Sequence, residues 1–296
     1  MFSCNTVRMP APDIQLEEVP VLEHPLLIAG FFGWGNALHV STDMVDHLTK
    51  QLGARAFARI NPDGFSRYDQ SRPVVQIQQG RLTSLQPPGG TFFYARTAAG
   101  EPDVVLLKAE EPALNWDRFA RELFALSQRL DCRTLVTLGS MYDNVMHSDR
   151  HISAMASSEA LITRLEAGSV NRISYEGPSA IHSLLQSEGS ESGIDCVSLW
   201  SHCPYYLQGT SHYGLLAALC RVLKIFGGFT LDPGDLEERW EKLSEQIEEM
   251  IKRKPELQHM IEDLRQQKRK VSIAGLKAAA KKDDKVIDLQ DFFEPK

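Results

Sequence analysis

The chain has 296 residues, 43% of them hydrophobic and 24% charged, with a formal net charge of −7. This is the composition of a soluble globular protein that buries one large core or two modest ones, and its acidic balance offers no general attraction to nucleic acid or an anionic membrane surface. No run approaches the ~18 consecutive apolar residues of a membrane span, and the first twenty residues lack the apolar centre of a signal peptide.

Residues 1–24 read as an irregular arm, because Pro10, Pro12 and Pro20 interrupt any periodicity. Residues 25–30 form an apolar run of the buried-strand type. Residues 37–52 predict a helix with Leu38, Val45, Leu48 and Leu52 on its apolar face, capped by Asn36 and stopped by Gly53. A short strand over 56–60 precedes a turn-rich loop, INPDGFSRYDQSRP. Alternation over 74–82 and 91–96 predicts a hairpin connected through Pro87-Pro88-Gly89-Gly90. DVVLLK (103–108) is a buried-type strand. Asn115 caps a helix whose apolar stripe is Trp116, Phe119, Leu123, Leu126 and Leu130.

Further along, 134–138 reads as a strand, 140–156 as irregular and polar, 157–165 as a short helix and 172–174 as a strand. YEGP (175–178) turns into a helix through Leu185, 196–200 is a last strand, and 213–226 is a buried helix. Strands alternating with helices predict a three-layer α/β/α sandwich on a mostly parallel sheet. From Pro233 the pattern changes to a Glu-rich helix with Leu236, Trp240, Leu243, Ile247 and Met250 on one face, broken at Pro255, and a second helix with Leu257, Ile261 and Leu264, a C-terminal helical hairpin. The expected organisation is therefore an arm (1–24), an α/β/α domain (25–230), the hairpin (231–268) and a basic flexible tail (269–296).

The most informative motif is LLIAGFFGWGNA (26–37), with Gly30, Gly33 and Gly35 interleaved with Phe31, Phe32 and Trp34 ahead of Asn36. A strand-to-helix loop of this kind lies at the carboxyl edge of an open sheet, where ligands bind. Its spacing fits neither the dinucleotide fingerprint nor a phosphate-binding P-loop. Two readings remain: a pocket floored by glycine backbone and roofed by Trp34, or a tight turn whose aromatics fill core or interface. HSDRH (147–151) places His147 and His151 one helical turn apart, but no third metal ligand is identifiable, and a solvated loop is the expectation. His202 and Cys203 are neighbours on a strand and point to opposite faces, which disfavours a Cys–His nucleophile. Glu110, Glu111, Asp143 and Glu176 could gather at strand ends for acid–base work. No Gly-x-Ser-x-Gly elbow is present. The five cysteines are scattered without a Cys-x-x-Cys pair, so no disulfide framework is expected, and a reducing cytoplasm is the simplest setting. The basic stretch 265–285 has no aromatics to stack on bases and reads as a solvated tail.

Five segments in this order resemble the proteasome assembly chaperone 2 family: GFFGWGNA (30–37), NPDGFSRYDQSRP (61–73), DVVLLKAEEPALNW (103–116), YEGPSAI (175–181) and VSLWSHCPYYL (197–207). The resemblance implies a sandwich similar to the nucleoside phosphorylase fold, a non-catalytic protein-interaction role, homo-oligomers and a protein partner. No cofactor or metal is expected, and charge and hydropathy lead to no expectation of nucleic acid or membrane as partner. The chain departs from the family in two places: Asn36 stands where an Asp is usual, and the end Glu294-Pro295-Lys296 lacks a hydrophobic–Tyr–any tail. The candidate pocket or interface comprises Gly30, Phe31, Phe32, Gly33, Trp34, Gly35, Asn36, Glu111, Asp143, His147, Tyr175, Glu176, Gly177 and Trp200. The alternative function is a small-molecule site for a nucleotide- or nucleoside-like ligand, including an ATP-dependent carboxylate–amine ligase-like activity, with the Gly-Trp-Gly loop as its binding element.

Overall fold

Along Leu26–Phe32 successive side chains alternate between two buried surfaces, so this segment must lie mid-sheet with helices on both faces. The computed structural model describes residues 12–271 and the pair Ile287–Asp288, with side chains through residue 266. Residues 1–11 of the predicted arm and most of the basic tail lie outside these residues.

The strands in chain order are β1 (Ile14–Leu16), β2 (Leu26–Phe32), β3 (Arg55–Ile60), β4 (Val74–Gln78), β5 (Arg81–Gln86), β6 (Gly90–Ala95), β7 (Val104–Glu110), β8 (Thr134–Asp143), β9 (Ile152–Ala156), β10 (Asn171–Arg172), β11 (Asp195–Pro204), β12 (Leu207–Gln208) and β13 (Ile287–Asp288). The α-helices are α1 (Val40–Gln51), α2 (Trp116–Arg129), α3 (Glu159–Glu166), α4 (Ile181–Glu191), α5 (Tyr213–Gly227), α6 (Gly234–Arg253) and α7 (Pro255–Val271). Nine strands make one mixed sheet in the order β1-β3-β6-β7-β2-β8-β11-β9-β10. Its centre, β7-β2-β8-β11, is parallel, and antiparallel strands flank it on both sides. This is the expected α/β/α sandwich.

One face of the sheet, through Leu26, Ile28, Val136 and Leu199, packs on α1, α3 and α5. The other, through Leu27, Ala29, Phe31, Leu107 and Leu135, packs on α2 and α4. The C-terminal helices add a layer outside α5. Leu236, Trp240, Leu243 and Ile247 of α6 join Leu257, Ile261 and Leu264 of α7 in the same apolar cluster as the sheet. Gly214 admits the Trp240 ring so closely that an added Cβ would lie 2.8 Å from it. His212 stacks on the same ring, 4.3 Å between centroids and 10° between planes.

Three local expectations need correction. The ribbon at 74–86 closes within itself: β4 pairs with β5 across Gln79-Gly80, both with positive φ, whereas β6 joins the main sheet between β3 and β7. The dipeptide at 79–80 supplies the turn that was assigned to Pro87–Gly90. The region 140–156 is not irregular throughout: β8 continues to Asp143, and β9 follows at Ile152–Ala156. Asn115 adopts φ 56° and makes no side-chain cap; its Nδ2 donates to the Gly64 carbonyl at 2.7 Å.

Two predictions follow from this packing. A Cβ at Gly30 would sit 2.7 Å from both Ser41 O and Val45 Cγ2, so Gly30→Ala is expected to lower unfolding free energy by about 1–3 kcal/mol, measured by denaturant titration. The second concerns acid. Burial lowers the His182 imidazole from 6.5 to about 4 and His212 to about 3, and His182 Nδ1 and His212 Nε2 have no hydrogen-bond partner among the described residues. Above 6.5 both states are neutral and nothing changes. Below it the unfolded chain takes up protons that the fold refuses, so stability falls with pH by about 1.4 kcal/mol per pH unit for each histidine. A stability profile that is flat from about pH 6.5 down to about pH 5 would contradict this assignment.

Candidate functional site

The loop after β2 rises at the carboxyl edge of the parallel centre and is held from below. Ser41, near the start of α1, donates from Oγ to the Leu138 carbonyl at 2.6 Å and accepts from Phe31 N–H at 3.2 Å. Asn36 Oδ1 accepts from Ser41 N–H at 3.1 Å and Thr42 N–H at 3.4 Å, and its Nδ2 donates to Thr42 Oγ1 at 3.0 Å. Asn36 therefore caps α1 across a 3-10 turn, Ala37–His39, rather than at the adjacent position. Ser140 N–H donates to Gly35 O, and Ser140 Oγ to Ala37 O, both at 2.8 Å. Within that turn Leu38 (φ 51°) and His39 (φ 57°) are both left-handed, a strained pair that the surrounding bonds hold in place.

Above these anchors Trp34 is 63% exposed. Gly33, at φ 117°, passes over Glu111, and a Cβ there would meet Glu111 Oε2 at 3.0 Å. Glu111 Oε1 in turn accepts from Ile181 N–H at 2.8 Å, tying the loop to the first turn of α4. Gly35 lies over Trp200 and His182. The Trp200 ring lies directly on Gly139 and donates through Nε1 to Ser198 Oγ at 3.0 Å.

A cleft of about 670 Å³ opens beside Trp34, between the loop, Ser140–Tyr142, Trp200 and the segment Gln208–Ser211. Asp43 faces it and accepts from Ser211 Oγ at 2.5 Å; burial raises its carboxyl above the ordinary range. The lining contains no lysine or arginine. The α1 N–H groups that an anion would use are already satisfied by Asn36.

The structure gathers Gly33, Trp34, Gly35, Asn36, Glu111 and Trp200 around this loop. Gly30 lies beneath it against α1, Phe31 is buried between Phe119 and His182, and Phe32 carries Lys108 over its ring at 5.2 Å. The other candidates lie outside the cleft lining. Tyr175, exposed, donates to Pro178 O at 2.9 Å and lays its ring end against Gly177, while Glu176 is exposed. His147 is buried against Tyr206 Oη (2.8 Å) and reaches Glu248 of α6 at 3.2 Å. Burial lowers its imidazole. Asp143 accepts from His202 Nδ1 at 2.7 Å, which holds its carboxyl below the usual range.

His202 Nε2 completes a chain to Ser153 Oγ at 2.8 Å. Asp143, His202 and Ser153 thus share the hydrogen-bond order of a hydrolytic triad. Ser153 is only 2% exposed, mid-strand in β9, and lines none of the described cavities. The chain ties β8, β11 and β9 together rather than presenting a nucleophile. Cys203 points to the opposite face, Sγ toward Ala37 O at 3.6 Å, so it forms no pair with His202. Among the described residues no group of three or more His, Cys, Asp or Glu is arranged to hold a metal.

Sequence reasoning missed Ser41, Asp43, Ser140, Tyr142, His182 and the segment 208–211. Ser41 had one legible signal, a polar residue beside Thr42 at the start of a helix whose other buried side chains, Val40, Met44, Val45 and Leu48, are apolar. The loop's rigidity is testable: Asn36→Ala should cost about 1 kcal/mol in denaturant titration, whereas Asn36→Asp should keep the cap.

The chain's PAC2 match spans residues 27–251. A proteasome-assembly chaperone homologue from Mycobacterium tuberculosis is 28% identical with a TM-score of 0.72, covering 80% of this chain and 99% of its own. A PAC2 family protein from Streptomyces avermitilis is 24% identical at TM-score 0.71, covering 80% and 99%. PbaB from Pyrococcus furiosus, an archaeal proteasome activator, is 20% identical at TM-score 0.62, covering 80% and 97%. No curated protein matches the chain. Among the described residues no helix is long and apolar enough to cross a membrane. The family match over most of the chain, on an α/β/α fold shared with these structures, places this protein in the PAC2 family.

Proposed function

We propose that this protein is a non-catalytic interaction protein, an assembly-chaperone-like scaffold that engages a protein partner through the carboxyl edge of its sheet. The observation that carries this is the exposure of Trp34 on a loop that the Ser41, Asn36 and Ser140 bonds make rigid. A large aromatic held out on a fixed backbone loses little entropy on binding, and tryptophan is a preferred interface anchor. The β4–β5 ribbon supports the same reading. Its register pairs Val75 with Leu85 and Ile77 with Leu82, so four exposed aliphatic side chains share one face. Ile60 pairs with Gly90, and Gly90 with Ala109, so the ribbon leaves from the same edge as the Trp34 loop. Kinship with proteasome-assembly chaperones makes proteasome subunits the first partner class to try, and a homo-oligomer in the cytoplasm the expected form.

The second reading is a small-molecule site, favoured by the cleft's volume of about 670 Å³, which falls in the range of ligand pockets. Its lining argues against a nucleotide triphosphate, because Asp43 lies there without a lysine or arginine to balance phosphate. A nucleoside-like or cationic ligand suits it better, and a thermal-shift screen against such compounds tests it.

The deciding experiment is affinity capture from the native cell with the wild-type chain and with Trp34→Ala, followed by mass spectrometry and titration of the captured protein. Trp34→Ala should leave stability within about 0.5 kcal/mol, since the ring is exposed. It should weaken partner binding by about tenfold or more. Equal capture by both chains would sink the proposal.

A further inference from the structure

The cleft beside Trp34 has a neighbour in this chain's own sequence. Leu207 and Gln208 of β12 pair in parallel with Ile287 and Asp288 of β13. Gln208, Gly209, Thr210 and Ser211 are themselves part of the cleft wall. Parallel pairing gives β12 and β13 one direction, and the residues that follow β12, Gly209 to Ser211, border the cleft. The residues that follow are Leu289-Gln290-Asp291-Phe292-Phe293-Glu294-Pro295-Lys296, which lie outside the described residues. Four residues of extended chain past Asp288 reach about 13 Å, enough to carry Phe292 to the cleft.

The lining suits an apolar, aromatic occupant. Trp34 and Tyr142 are both exposed, Leu38 and Trp200 stand behind them, and about 670 Å³ exceeds what two phenyl side chains fill. The β12–β13 pairing also tethers any such contact. A tethered segment sees its site at an effective concentration of order millimolar, so modest apolar contacts suffice to fill it.

We propose that residues 289–296 of this chain occupy the cleft of the same molecule, with Phe292 and Phe293 as anchors against Trp34 and Tyr142. The occupancy stands on the strand pairing and the cleft. Its consequence, that the segment covers the Trp34 face until a partner displaces it, rests on the function proposed above.

Amide hydrogen exchange on the full chain tests this. In Phe292→Ser/Phe293→Ser, exchange across 33–38 and 208–211 should be faster than wild type by about tenfold, while β7 and α2 stay unchanged as a control for folding. A chain ending at Asp288 should behave like the double variant. Equal exchange at the cleft in wild type and both variants overturns the inference. Wild-type protection that disappears on dilution also overturns it, because the occupant is then a second copy. The two proposals fail separately. Unchanged exchange with partner capture lost in Trp34→Ala removes only the tail contact; faster exchange with capture unchanged removes only the partner face.

Discussion

The contact that the rest of the structure depends on is the approach of α1 to β2 at Gly30. With no Cβ, Gly30 lets the Ser41 carbonyl and the Val45 side chain come within a distance that any other residue would forbid. That proximity lets Ser41 Oγ reach across to Leu138 on the neighbouring strand. With the Phe31 N–H bond to the same Oγ, it links β2, β8 and the helix start. It also fixes how the chain between Gly33 and His39 must travel, and so where Trp34 stands.

Around this contact the polar groups are spent on structure. Asn36 uses the free N–H groups of α1, Ser140 pins two loop carbonyls, and Glu111 joins the loop to α4. Among the large side chains exposed at this edge are Trp34, Tyr142 and the aliphatic face of the β4–β5 ribbon. A hydrolytic centre needs the reverse, a polar nucleophile open to substrate. The Asp143–His202–Ser153 chain has the right order of bonds, but its serine is enclosed by the sheet.

Much of this was legible in the chain. The apolar runs at 26–30, 104–108 and 134–138 identified the parallel centre because strands covered on both faces need side chains that are apolar throughout. The amphipathic stripes of α2 and α6 were equally clear. The ends of β8 and β11 were not: Ser140, Asp143, Ser201 and His202 look like loop residues, yet they extend strands because neighbouring strands and side chains satisfy them. The ribbon was misassigned for a related reason. Gln79-Gly80 is a weaker turn signal than Pro-Pro-Gly-Gly, and only the main-sheet pairing of β6 removes the stronger one from the hairpin.

By itself the sequence determined the α/β/α class, the order of the central elements and the importance of the glycine–aromatic loop, because burial periodicity and glycine spacing are local properties of the chain. Only the tertiary structure decided what the loop's residues do. Phe31 turned inward and Trp34 outward although they are three positions apart, since β2 ends between them and the strand alternation no longer applies. Glu111 met the loop while His147 went to α6, a separation set by chain crossovers that no local spacing encodes. Whether an aromatic is core or contact depends on which distant elements close over it, and that is fixed only when the sheet and its helices assemble.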